Sequence, residues 1–409
     1  MDLRGYPGAV ARLLLWGFLL LLFSLSVLVM YLLLRQQWHD GPDRVSSVSH
    51  RMPELDYALL WAAGRMAAAG EAVRLYDGPS FLAWREHLFG PALLRLDWIY
   101  PPPMILVGIG VAHLPLLPGY GLWMAVVCGL SAWVLRGAGL SWRVALIGLF
   151  GPPAWRGITS GQYAPLAASL VLAGLLQARR APTRAGLLVA LSTLKPHLGI
   201  LVPVIWLAQR RWVAFVTAAV TTMILAGAAT AVLGPAIWAA FLHGGGASMR
   251  ALLEPRSPAG YWVGAASVYW MARSFGSTAA VGYAMQFVAA VGSVAAVWIA
   301  ARQAGETAAA TVGACLIPLV SPYLYYSDLV GYSIVVAMLA ERRRFDVLSV
   351  FLWLCPGIGG VFALFTGWQV LPVAVVLAAA LAWQEFAAPA VIRADRERTV
   401  GSTLDTGLA

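Results

Sequence analysis

Residues 185–208 read AGLLVALSTLKPHLGILVPVIWLA, an apolar run interrupted only by Lys195, Pro196 and His197. Lys195 is the only lysine of the chain; the other 27 of its 28 basic residues are arginine. An ionisable residue inside such a run is costly and marks a functional site by default. The structural alternative is a lysine that snorkels to the membrane surface. The proline ends a helix at the same point, so a charge, a backbone break and a titratable ring coincide.

The whole chain shares this character. It is 60% hydrophobic and 11% charged, against about a quarter charged in an ordinary soluble domain. Mean hydropathy is +0.76. Leu13 to Leu34 form a 22-residue run without charge, enough to cross ~30 Å of hydrocarbon. It is too long for a signal-peptide core and has no small-residue cleavage site after it, so it reads as a retained span. The net charge of +10 does not indicate nucleic acid, because the arginines lie in short loops between apolar runs. Cys128, Cys315 and Cys355 are scattered in apolar segments and give neither a disulfide framework nor a metal spacing.

Short basic loops mark the cytoplasmic side. Placing Arg4 and Arg12, Arg136 and Arg143, Arg179 to Arg184, Arg210-Arg211, Arg302, Arg342 to Arg344 and Arg393 to Arg398 inside fixes the rest by parity. The stretch 143–179 goes out and returns through GPPAWRGITSGQYAP, and 184–210 through LKPH. Each arm of the second hairpin has about 12 residues, only ~18 Å of helix. Lys195 is thereby placed below the outer surface, in protein or a water-filled cavity. Residues 35–119 and 234–277 are outer loops, with 102–117 an interfacial or re-entrant helix and another short helix near 261–274. The expected architecture is an all-α polytopic membrane protein of about twelve crossings with both ends inside. Residues 1–12 form a cytoplasmic start, 13–390 one transmembrane domain, and 391–409 a cytoplasmic, disordered tail.

Carboxylates are scarce on the outer side. None occurs between Asp97 and Glu254, and eight of 18 lie in the first outer loop. An outward-facing general base must come from these, or from Glu254 or Asp328. Asp56, in PELDYALLWAAGR, is the strongest candidate: it opens an apolar-rich helix, where partial burial raises its pKa and the helix N-terminus favours its charge. A plain first-turn acid is the alternative. Glu54 with Asp56 forms an E-x-D pair able to hold a divalent ion, a weak signal that is not favoured over no metal. Asp328, in SPYLYYSDLVGY, stands at an outer helix end, where a cap is the alternative. Tyr100, Arg156, Gln162, His197 and Tyr323 occupy outer-side breaks and are candidates to converge with Lys195. Loop 235–260 adds Arg250 and Arg256, able to close over a phosphate.

The motifs ELDYALLWAAGR, LYD (75–77), YPPP (100–103), GQYAP (161–165), LKPH (194–197) and SPYLYYSD (321–328), in this order, resemble those of GT-C membrane glycosyltransferases, family 87. The resemblance implies a GT-C-type bundle. It implies sugar transfer, with mannose the leading donor sugar, from a polyprenyl-phosphate donor to a lipid or glycan acceptor, at the outer face of a bacterial inner membrane. It assigns the catalytic acid to Asp56 and the membrane-embedded lysine-proline motif to Lys195-Pro196. The first outer loop lacks a strict D-x-D, so no cofactor is expected. The competing reading is a transporter or flippase of an anionic or lipid-linked substrate, which a cation at a broken hairpin also suits.

Overall fold

The computed structural model describes residues 7–37, 55–90, 93, 95–254 and 264–387. Among them the architecture is all-helical, and the β-type pairing is a single antiparallel bridge between Ala265 and Tyr325. Glu54, Arg256 and the tail expected at 391–409 lie outside the described residues.

In chain order the helices are α1 (Pro7–Gln37), α2 (Leu55–Ala68), α3 (Gly78–Phe89), α4 (Pro102–Val111), α5 (Leu116–Gly137), α6 (Trp142–Leu149), α7 (Pro152–Ser160), α8 (Ala164–Gln177), α9 (Pro182–Ser192), α10 (Val202–Ala208), α11 (Trp212–Leu233), α12 (Ala236–Ala240) and α13 (Gly246–Leu253). Then follow α14 (Val268–Ser274), α15 (Ala279–Gln303), α16 (Gly305–Leu316), α17 (Val330–Arg342), α18 (Val347–Thr366) and α19 (Leu371–Ala387). Four of them, α5, α11, α15 and α18, are long and apolar enough to cross a membrane. Several others are apolar but shorter, including α4, α8 and α19. Exposed side chains on α11 and α15 include Met223, Ile224, Phe287 and Val288, a lipid-facing composition.

The sequence breaks appear where the chain chemistry demands them. The run 143–179 divides into α6, α7 and α8, because Pro152-Pro153 can only start a helix and Gly161 ends one in a left-handed conformation (φ +81°). The run 184–210 divides at Lys195-Pro196 into α9, a 3-10 turn at 196–199, and α10. The run expected at 102–117 ends earlier, at Val111. Pro115 precedes α5, whereas Pro118 falls within its first turn, where a missing N–H is tolerated.

A small-residue logic draws the helices together. A Cβ on Gly64 of α2 would stand 2.0 Å from the Gly108 carbonyl of α4. Gly148 meets Ile334, and Gly174 meets Val189, with similar intimacy. Close backbone approach of this kind is how helices gain dispersion contacts in an apolar solvent. The core, rich in alanine and leucine, centres on α8, α16 and α17, whose side chains are almost wholly buried.

Candidate functional site

The break after α9 leaves Lys195 in a non-helical conformation (φ −135°, ψ 74°) at the head of the 3-10 turn, and its side chain enters the protein rather than snorkelling out. Only 5% of the residue is exposed. Its Nζ donates to Gln162 Oε1 at 2.8 Å and to Asp328 Oδ1. Asp328, equally buried, sits in the 3-10 turn 326–329 that leads into α17. Its second oxygen accepts from the Tyr325 backbone N–H at 3.1 Å and lies 3.3 Å from His197 Nε2. The expected cap is therefore present, but the same carboxylate also neutralises the lysine. Both charges are out of water, which is tolerable only because each is paired and hydrogen-bonded.

Gln162 connects this pair to Tyr100 and to α2. It follows Gly161 at the turn between α7 and α8, and its backbone N–H donates to Gly157 at 2.7 Å. Its Oε1 accepts from Lys195 and, at 3.4 Å, from the Tyr100 hydroxyl. The Tyr100 carbonyl in turn accepts from Tyr76 at 2.7 Å. With Oε1 so engaged, the amide NH2 is left to donate. Asp56 is the acceptor within its reach.

Asp56 is half-buried in the first turn of α2, a helix outside the spanning segments. It stands within side-chain hydrogen-bond reach of Ser160 and Gln162, and within electrostatic reach of Lys195 and Arg156. Burial holds its carboxyl above the ordinary aspartate value. Ser160, Lys195, Arg156 and Gln162 pull it back without cancelling the rise. What brings α2 to this point is Gly161: a Cβ there would lie 2.4 Å from that of Tyr57, so only glycine lets the α7–α8 turn touch the residue beside Asp56. Tyr57 packs edge-on against Tyr120, at 5.9 Å between centroids, and Trp123 donates to the Gly161 carbonyl at 2.9 Å.

The structure thus gathers Asp56, Tyr100, Arg156, Gln162, Lys195, His197 and Asp328 from five places in the chain. It does not bring Tyr323 or Arg250 into that cluster. Tyr323 packs on a separate apolar group of Leu253, Ala265, Tyr269 and Trp270. Arg250, exposed on α13, influences Tyr323 and Tyr283 instead. The cause is the Ala265–Tyr325 bridge, reinforced by the Ala266 N–H to Leu324 carbonyl bond at 3.1 Å, which turns Tyr323 toward the 264–274 segment. Asp77, in the LYD motif, caps α3 by accepting from the Ser80 N–H at 3.0 Å. Ser160 and Tyr57 escaped the sequence reading. Their signal was adjacency, since each abuts a residue of a quoted motif. No group of three or more His, Cys, Asp or Glu able to hold a metal occurs among the described residues.

The chain matches the family model for glycosyltransferase family 87 over residues 98–322, more than half its length. The matched span contains Tyr100, Arg156, Gln162, Lys195 and His197; Asp56 and Asp328 flank it. No curated protein and no solved structure matches the chain.

Proposed function

The chain belongs to glycosyltransferase family 87, and from that premise we propose that it transfers a sugar, with mannose the first choice, from a polyprenyl-phosphate donor to a hydroxyl of a lipid or glycan acceptor, with inversion, at the outer face of a bacterial inner membrane. Twelve crossings and both ends inside belong to the same reading, with α1 and the shorter apolar helices supplying the passages beyond the four long spans.

The observation that carries it is the chain of contacts from Asp56 through Gln162 to Lys195 and Asp328. It joins a carboxylate of raised basicity to a buried ammonium. In the proposed step the acceptor oxygen forms a bond to the anomeric carbon and Asp56 takes its proton. The bond from that carbon to the phosphate oxygen breaks, and polyprenyl phosphate leaves with one more negative charge. A phosphate leaving group needs no general acid, only fixed positive charge where the new charge develops. Lys195 has three N–H donors, two of them committed to Gln162 and Asp328, which leaves one for a phosphate oxygen.

Charge balance sharpens the roles. Asp56 and Asp328 offset Lys195 and Arg156 in formal charge, so these four alone leave no surplus cation for the donor. Arg156 and Lys195 face the phosphate together, and further positive charge has to come from outside these four. In the same reading Arg250 and Arg256 of the 235–260 loop close over the bound donor, and Tyr323, from the 321–328 segment, binds it beside them. Gln162 and Tyr100 keep the base and the lysine at a fixed separation.

The test is to reconstitute the protein in liposomes with a panel of polyprenyl-phosphate sugars and follow donor consumption. Consumption of one donor, with release of polyprenyl phosphate, supports the reading; no consumption of any donor with any acceptor extract rejects it.

A further inference from the structure

A cavity of about 380 Å³ opens away from the Lys195 cluster, between α2, α3 and α4. It is lined by Arg65, Trp84, His87, Leu88, Ile109 and His113, with three alanines. A far smaller void near Asp328 is lined by side chains such as Leu198 and Ile317. The large cavity carries one guanidinium and two imidazoles, and no carboxylate stands among the described residues that line it.

Its geometry is built rather than incidental. The Arg65 guanidinium lies 5.3 Å from the centre of the Trp61 ring, and Trp61 is itself fixed by a 2.8 Å bond from its N–H to the Leu114 carbonyl. Arg65 makes no ion pair among the described residues, so its donors remain available to a ligand. The Trp84 N–H is spent on the Ala62 carbonyl at 3.2 Å, which leaves the indole to present an apolar face beside Leu88 and Ile109. A planar five-donor fork beside imidazole donors suits a phosphate, and the apolar wall suits what such a phosphate is attached to.

The location specifies the source. His113 comes three residues before Leu116, where the candidate span α5 begins. The segment 72–76, which follows α2, packs on α12 immediately after the end of span α11. The cavity's His113 thus stands beside the start of a candidate span, where a chain leaving the apolar layer would meet lipid headgroups.

We propose that this cavity is a binding site for the phosphate of an anionic membrane lipid, held by Arg65, His87 and His113 with its glycerol or sugar portion against Trp84. The site is separate from the Asp56–Lys195 cluster: Arg65 stands nine residues along α2 from Asp56, about 14 Å at helical rise.

The experiment uses the full chain in phosphatidylcholine nanodiscs, with no sugar donor present, so its outcome is independent of the reading of Asp56. Phosphatidylglycerol is titrated in, and bound lipid is counted by native mass spectrometry while Tm is followed. The wild type should retain one phosphatidylglycerol in preference to phosphatidylcholine and gain thermal stability from it. Arg65→Gln should weaken that retention about tenfold or more, the loss expected for a charge-assisted hydrogen bond. His113→Ala should weaken it less, with unchanged Tm in pure phosphatidylcholine for both variants. Inorganic phosphate that competes only at far higher concentration assigns the site to lipid; competition at equal concentration assigns it to free phosphate, with the same recognising groups. Equal retention of the two lipids, or wild-type affinity in both variants, would overturn the site.

Discussion

The buried Lys195–Asp328 pair makes a quantitative prediction through a double-mutant cycle. Lys195→Met leaves the Asp328 carboxylate with only the Tyr325 N–H and His197 as partners. Asp328→Asn leaves the ammonium with neutral amide oxygens as its hydrogen-bond partners and takes away the carboxylate charge it is paired with. Each residue is about 5% exposed or less, so water does not enter to compensate. Orphaning one member of such a pair costs about 3–5 kcal/mol, whereas removing both charges is close to neutral apart from packing. Lys195→Met/Asp328→Asn should therefore be about 3 kcal/mol or more less destabilised than the sum of the single changes. The assay is denaturant unfolding of purified protein in micelles, read without reference to activity. Single effects that add to within about 0.5 kcal/mol would refute the coupling and, with it, the placement of Lys195.

Three further outcomes follow from the same geometry. Because burial raises the Asp56 carboxyl, the acid limb of kcat/KM should lie above that of an ordinary aspartate. Activity is lost as pH falls through that raised value, and Arg156→Gln should move the limb higher still, because the arginine favours the ionised form. Gly161→Ala has to bear a left-handed φ, costing about 1–2 kcal/mol, and a 2.4 Å clash with Tyr57. It should lower Tm and abolish transfer, whereas Gly157→Ala, with no contact nearer than 3.6 Å, should lower Tm far less. Tyr100→Phe removes the long 3.4 Å bond from its hydroxyl to Gln162, and the loss of that bond should cost less than about 1 kcal/mol in kcat/KM.

Much of this arrangement was legible in the sequence. Arginine placement located the breaks at 150–165 and 194–197, and these are where the helices end. A lone lysine in an apolar run identified the buried ammonium, because so costly a group survives only where something compensates it. The compensation itself was not legible. Asp328 lies 133 residues from Lys195, and sequence parity put both near the outer side without showing that they touch. The packing of Tyr323 was not legible for a related reason: it is two residues from Tyr325, yet a single β-bridge sends its ring to another apolar group. The glycine at 161 was read as part of a break, but its closeness to Tyr57 depends on a packing that no local pattern encodes.

The most direct test of the central claim compares wild type with Asp56→Asn in liposomes supplied with the polyprenyl-phosphate sugar that the panel identifies. Asparagine keeps the size and hydrogen-bonding shape but cannot take the acceptor proton. With unchanged Tm and donor binding, transfer should fall by about 10²–10⁴-fold. A folded Asp56→Asn protein that transfers sugar at the wild-type rate would contradict the account.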